Sequence, residues 1–223
     1  MLTKRTECIL QNVTKRTVAD IGTDHAYIPI ELIERGLCDK VIASDICDGP
    51  VKIARGHIEK AGLSDKIEIR KNDGLEGIET GECEQAVIAG MGGAVIIEIL
   101  NKNRDKNLDF ILQPMNCQYE LRKYLINNGY IIYNEDIAVE GFKVYNIICC
   151  KKGITDASKM REIDFHLPPC LYNHIYFKNL KEKKHREFTK ILNGNKKSSI
   201  PDPEIISKYE ILLKELEAFD EGI

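Results

Sequence analysis

Val18-Ala-Asp20-Ile-Gly22-Thr-Asp24-His25-Ala26 opens as a β-rich run and closes as a glycine turn. The residues that follow, Tyr27 to Gly36, set Ile28, Leu32 and Ile33 on one helical face, with Gly36 as the expected stop. A strand feeding a helix through a tight turn is the first half of a βαβ unit, and the rhythm repeats downstream. Lys40-Val-Ile-Ala-Ser-Asp45, Lys66-Ile-Glu-Ile-Arg70, Gln85-Ala-Val-Ile-Ala89 and Phe110-Ile-Leu-Gln113 read as further strands. Pro50 to Ala61, Val95 to Leu100 and Tyr119 to Asn127 read as helices between them, the first with Asp48 as N-cap, Pro50 in its opening turn and Gly62 as its end.

After Gly129 the rhythm changes. Tyr130-Ile-Ile-Tyr133 and Lys143-Val-Tyr-Asn-Ile-Ile-Cys149 are strand-like runs with a turn at Glu140-Gly141 and no helix between them. A mostly parallel, doubly wound sheet closed by an antiparallel hairpin is the economical reading for residues 1–152. From 153 to 223 strands disappear. Pro168-Pro169 punctuates a linker, Tyr172 to Leu192 and Glu204 to Phe219 read as helices, and Asn193 to Pro203 as the loop joining them. Ile205, Tyr209, Leu212, Leu216 and Phe219 fall at the alternating spacing of a coiled-coil seam, so this second region reads as an α-helical coiled-coil hairpin.

With 223 residues, 43% hydrophobic and 30% charged, the chain can bury one sizeable core and carry an appendage, which excludes collagen-like and disordered classes. No apolar run approaches the roughly 18 to 20 residues of a membrane span, and Met1-Leu-Thr-Lys-Arg-Thr-Glu7 is followed by no signal-like apolar stretch, so a cytoplasmic protein without membrane contact is expected. The eight cysteines are scattered, with no C-x-x-C, and read as reduced thiols. Cys149 and Cys150 alternate across a strand, and no metal site is expected there. The net charge of −3 hides a local contrast: Lys178 to Lys197 holds eight basic residues against Glu182 and Glu187, while acidic residues dominate from Asp202 to Glu221. A charge-paired solvated hairpin and a nucleic-acid arm both fit that contrast.

In a doubly wound sheet the crevice beyond the strand ends takes a nucleotide-like ligand, and Gly22 lets backbone approach it. The dinucleotide fingerprint G-x-G-x-x-G is absent, because Asp24 and Ala26 stand where glycines are needed. An anionic Asp24 repels a pyrophosphate but tolerates a cationic sulfonium, which favours S-adenosylmethionine over NAD. Asp45, ending the second strand, is placed to accept from ribose hydroxyls. Asp73, in Asn72-Asp-Gly74-Leu75, can accept from an exocyclic amine, and Ala89-Gly90-Met91-Gly92-Gly93 offers a small-residue floor. Each motif alone has a plain structural use: a turn, a helix cap or a flexible loop. Together with the hairpin ending they indicate a Rossmann-like class I methyltransferase with a seven-stranded sheet. No Asn/Asp-Pro-Pro-Tyr/Phe motif is present for methylating an exocyclic amine.

Asp20-Ile-Gly-Thr-Asp-His-Ala-Tyr-Ile-Pro29, Asp48-Gly-Pro50, Asn72-Asp-Gly-Leu75, Ala89-Gly-Met-Gly-Gly93, Leu112-Gln-Pro114 and Lys143-Val-Tyr145, in that order, resemble the bacterial tRNA (adenine-N1)-methyltransferases that modify adenosine 22. The likeness is close over residues 3 to 150, and the C-terminal helices match that family's coiled coil in kind. The resemblance implies methyl transfer from S-adenosylmethionine to N1 of an adenine in tRNA; a carboxylate near the N6 or N1 edge would hold the base and stabilise the growing positive charge, and Asp24 is the expected catalytic residue. It implies cofactor contacts from Asp20, Gly22, His25, Asp45, Asn72, Asp73, Gly74, Gly90, Met91 and Gly92. It implies substrate contacts from Tyr27, Gln113 and Asn116, and the hairpin lysines Lys181, Lys184 and Lys190 are the expected RNA ligands. One departure is visible: the family reads Gln-Pro-Asn, whereas here Met115 separates Gln113-Pro114 from Asn116. A monomer is expected. Two other uses of the same residues stay open: a small-molecule methyltransferase, and a catalytically silent tRNA-binding or cofactor-sensing protein.

Overall fold

The computed structural model describes residues 2–219. Seven strands, β1 (Thr17–Ile21), β2 (Lys40–Asp45), β3 (Ile67–Lys71), β4 (Gln85–Met91), β5 (Asp109–Pro114), β6 (Tyr130–Glu140) and β7 (Lys143–Lys152), form one sheet in the order β3-β2-β1-β4-β5-β7-β6. The first five are parallel to one another, while β7 runs antiparallel to both β5 and β6. The chain therefore reverses its direction of growth between β1 and β4, where a doubly wound sheet opens its crevice.

Strands buried on both faces need apolar side chains on both, and these have them. Val18, Val41, Val87, Ile111 and Cys149 pack on one face with α1 (Lys4–Gln11), α2 (Tyr27–Glu34) and α3 (Asp48–Ala61). Ala19, Ile42, Ala86, Phe110 and Cys150 pack on the other with α4 (Gly93–Lys102) and α5 (Gln118–Asn127). Cys149 and Cys150 thus lie in opposite cores, and all eight cysteines are unpaired.

Some boundaries differ from the sequence reading. Helix α1 is unannounced by the sequence because its apolar residues Cys8, Ile9 and Leu10 are contiguous and its first turn is charged; the Thr3 hydroxyl accepts from the Thr6 N–H at 3.1 Å and caps it. Asp48 is the first residue of α3, not its N-cap. The preceding Asp45 carboxylate already accepts from the Cys47 N–H at 3.0 Å, leaving Asp48 to pair with Lys71 at 2.7 Å. Gly62, in the left-handed region at φ +69°, does end α3.

Strand β6 continues seven residues past Tyr133, through Glu135 and Asp136, whose charges hide it in the sequence. Both are accommodated: Glu135 forms a buried ion pair with Arg122 at 2.7 Å, and Asp136 meets His174 at 2.8 Å and the Asn12 amide at 3.1 Å. The first C-terminal helix, α6 (Phe177–Lys196), begins later and runs further than expected, because Pro169–Leu171 forms a 3-10 turn and Gly194 continues the helix. The second, α7 (Pro203–Glu217), is capped by Asp202, whose carboxylate accepts from the Glu204 N–H at 2.9 Å. Leu212 and Leu216 of the predicted seam are buried against Leu180 and Phe188 of α6. The same core takes in Ile137 of β6 and Val144 of β7.

Candidate functional site

Four strand ends converge on a cavity of about 230 Å³, and Gly22, Asp45, Asn72, Asp73, Gly74 and Met91 all line it. Gly22 adopts φ +75°, which calls for glycine in the turn after β1, and the end of the flexible Met91 side chain fills the space where a Cβ would stand. The Gly22 and Thr23 N–H groups donate to the Ser44 carbonyl at 2.8 and 2.9 Å, locking that turn to the end of β2. Ile46 and Val95, large aliphatic side chains left exposed, face the same cavity with Ile99 and form an apolar slot. Neither these aliphatic walls nor two charged ones were anticipated: Lys102, 3.6 Å from Asp73, and Glu98, which holds Lys102 at 3.0 Å. In the sequence they are an ordinary i,i+4 pair on a helix.

The remaining expected cofactor residues stand outside the cavity. Asp20 is buried at the end of β1, and burial pushes its carboxyl up to about 7, with the Thr23 hydroxyl opposing and the Asp45 charge adding to the rise. Gly90, at φ +78°, donates its N–H to Gln113 Oε1 at 3.1 Å. Gly92 is the N-cap of α4.

His25 lies beside the crevice, in a stack of rings. Its centroid is 5.3 Å from that of Tyr27 and 5.7 Å from that of His57, and the His57 Nδ1 bonds the His25 carbonyl at 2.9 Å. His57 was missed, because a lone histidine on a helix carries no signal until the fold sets it beside the β1 turn. The His25 Nδ1 is buried without a partner, and its Nε2 lies 3.5 Å from Asp24. Asp24 itself, at φ +50°, points an exposed carboxylate outward while its N–H donates to Asp45 Oδ2 at 3.4 Å.

On the β5 side Gln113 is fully buried, accepting from Gly90 and donating to the Pro114 carbonyl at 3.2 Å. Despite the inserted Met115, Asn116 reaches the floor: its Oδ1 accepts from the Gly93 N–H at 3.1 Å, taking one of the orphan donors that open α4. Beyond Asn116 a second cavity, of about 330 Å³, separates the β5 end from α6. Lys184 lines it, and here the expectation needs correction. Lys184 is not an outward-facing lysine: it is buried, with its amine held by Glu187 at 2.7 Å, because its helical position faces the third core beside Leu180 and Phe188. Lys190 is exposed, and Lys181 is half-buried near the α6–α7 surface. Of the cross-hairpin pairs that the charges suggested, Lys196 and Glu210 meet at 2.6 Å, while Lys208 of α7 goes to Glu162.

The donor set suits a phosphate-free, cationic nucleoside ligand: carboxylates at two strand ends, an apolar slot between them, and an aspartate where a pyrophosphate site needs glycine. Among the described residues, no group of His, Cys, Asp or Glu is arranged to hold a metal ion. The sheet order, the reversed seventh strand and this acidic crevice define an S-adenosylmethionine-dependent methyltransferase of the Rossmann type. A family model described as tRNA (adenine(22)-N(1))-methyltransferase matches residues 18–221, and the chain belongs to that family. The tRNA (adenine(22)-N(1))-methyltransferase of Bacillus subtilis (strain 168) is 37% identical over 161 residues, 70% of this chain and 68% of that one. Sp1610 of Streptococcus pneumoniae, solved in complex with S-adenosyl-L-methionine, superposes with a TM-score of 0.81 at 30% identity, covering 99% of both chains. TrmK of M. capricolum, solved with S-adenosyl-homocysteine, gives a TM-score of 0.82 at 25% identity over 99% of this chain and 98% of that one.

Proposed function

We propose that this chain methylates N1 of adenosine 22 in tRNA, acting in the cytoplasm as a monomer. The observation that carries the reading is the reach of the family match, which takes in both the strand-end crevice and the helical hairpin at residues 18–221. S-adenosylmethionine supplies an electrophilic methyl group on a cationic sulfonium. Asp45 accepts from the ribose hydroxyls, Asp73 from the adenine amine, and Ile46 and Val95 enclose the flat base.

The acceptor N1 already carries a lone pair, so the chain needs to align and desolvate it more than to supply a base. As the N–C bond forms in line with the departing sulfur, positive charge grows on the adenine. Asp24, exposed at the mouth of the crevice, holds the N6 edge and stabilises that charge. Because N1 is a Watson–Crick atom, the nucleotide must leave its stack, and the Tyr27–His25–His57 rings offer a surface to receive it.

Incubation of an unmodified tRNA transcript with enzyme and cofactor, followed by mass spectrometry of the nuclease fragments, tests the reading. One methyl group on the fragment containing adenosine 22, absent from a transcript with guanosine there, is expected. Transfer to another nucleotide, or none, overturns it.

A further inference from the structure

Arg5 sits in the first turn of α1, ahead of the residues matched by the family model, yet its side chain ends at the methyl-transfer floor. Its backbone N–H donates to Glu140 Oε1 at 2.7 Å, tying α1 to the end of β6. Its guanidinium lies over the Tyr145 ring, 5.6 Å from the centroid, with Nη1 3.4 Å from Gln113 Oε1 and 3.9 Å from Met115 Sδ. A Cβ on Gly90 would come within 3.6 Å of the same nitrogen, so no side chain separates the cation from the Gly90 backbone.

What sets Arg5 apart is its lack of a counter-ion. Among the described residues, three arginines are buried or half-buried: Arg5, Arg70 and Arg122. Arg70 is gripped by Glu82 and Glu68, and Arg122 by Glu135. The Arg5 guanidinium itself meets only neutral groups, Gln113, Met115 and the Tyr145 ring, while the Glu140 carboxylate is bonded to the Arg5 main-chain N–H. A half-buried guanidinium without a carboxylate partner presents a planar fork that matches a phosphate. The charges also divide across the floor: Asp45 and Asp73 line the cofactor side, where an RNA phosphate would be repelled, and Arg5 stands on the Gln113 side.

We propose that Arg5 binds the backbone phosphate of the nucleotide whose base enters the crevice, an inference that rests on the tRNA-methyltransferase reading. A base swung out of its stack brings its own phosphate to the rim, and the guanidinium clamps it there.

The test uses the full chain with Arg5→Gln and Arg5→Lys, and tRNA carrying one neutral methylphosphonate 5′ of adenosine 22. For Arg5→Gln, the KM for tRNA is expected to rise about ten-fold or more, the scale of a charged hydrogen bond. The log–log salt slope should flatten by about 0.7 to 0.9, while S-adenosyl-homocysteine affinity stays within two-fold. Arg5→Lys should restore the slope and part of the KM. Wild-type enzyme on the methylphosphonate tRNA should show the same loss, and combining it with Arg5→Gln should add nothing; this arm does not depend on the variants folding. A fall in kcat with KM and slope intact would mean that Arg5 only braces Gln113, and the proposal fails. So it does if the methylphosphonate is as good a substrate as the parent. If the wild type binds S-adenosyl-homocysteine but methylates no tRNA, the functional reading itself falls; if it methylates tRNA and Arg5→Gln matches it throughout, only the assignment of Arg5 falls.

Discussion

The Asp45 carboxylate takes two backbone N–H groups, from Asp24 at 3.4 Å and from Cys47 at 3.0 Å, and so joins the turn after β1 to the start of α3. The residue expected to grip a ribose is therefore also the brace of the turn bearing the expected catalytic carboxylate. Asp45→Ala removes both uses. Its affinity for S-adenosyl-homocysteine, measured by calorimetry, is expected to weaken by about 1.5 to 3 kcal/mol, the scale of charged hydrogen bonds. Wild-type affinity in the variant would remove Asp45 from the cofactor site.

Asp24 occupies the left-handed region, which asparagine tolerates at least as well as aspartate, so Asp24→Asn should leave the turn intact. Turnover on tRNA is expected to fall while cofactor affinity stays within a few-fold. Methylation at the parental rate would strip Asp24 of its catalytic role.

The hairpin lysines now separate into two kinds. Lys190→Glu changes an exposed residue of α6, and if α6 touches RNA, tRNA binding should weaken and its salt slope drop by about 0.7 to 0.9, with cofactor binding unchanged. Lys184→Glu instead buries an acid beside the partly exposed Glu187, and a loss of thermal stability is expected to precede any specific effect on RNA. Equal salt slopes for Lys190→Glu and wild type would make this helix a structural one.

His166 stacks on Tyr119 with centroids 4.4 Å apart, and both ring nitrogens are buried without partners. Burial, aided by the Lys184 charge, pushes its pKa down to about 3 from an unfolded value of 6.5. The unfolded chain therefore takes up the proton first. The stability that neutral His166 contributes is complete above pH 6.5 and is lost as pH falls towards 3, by about 1.4 kcal/mol per unit. His166→Phe keeps the ring and removes the titration, so its unfolding free energy should decline less steeply over that window. At pH 8 the variant should match or exceed the wild type by about 1 to 3 kcal/mol, since two orphaned polar atoms are gone. Parallel acid limbs would place the titration elsewhere.

The parallel strands and the crevice were legible because their signals are local: apolar runs such as Val41-Ile-Ala43, glycine turns, and carboxylates at strand ends. Features made by contacts distant in sequence were not. Glu135 and Asp136 look like the end of a strand until Arg122 and His174 arrive to neutralise them. Lys184 looks like part of a basic face until α7 and β7 close over its side of α6. The ring stack needs His57 brought 32 residues back to His25. Arg5 needs α1 laid against β6 before its side chain can reach Gln113.

Strands β6 and β7 belong to the sheet and, through Ile137 and Val144, to the core under the helical hairpin. The span from α6 to the crevice is consequently set by that shared packing and not by the 153–176 connection alone. An RNA that touches both is offered a single length, as a workpiece is by a fixed gauge. A tRNA with one base pair inserted between the two points of contact would bring the neighbour of its adenosine to the mouth, so the choice of nucleotide would be made by distance as much as by the chemistry of the base.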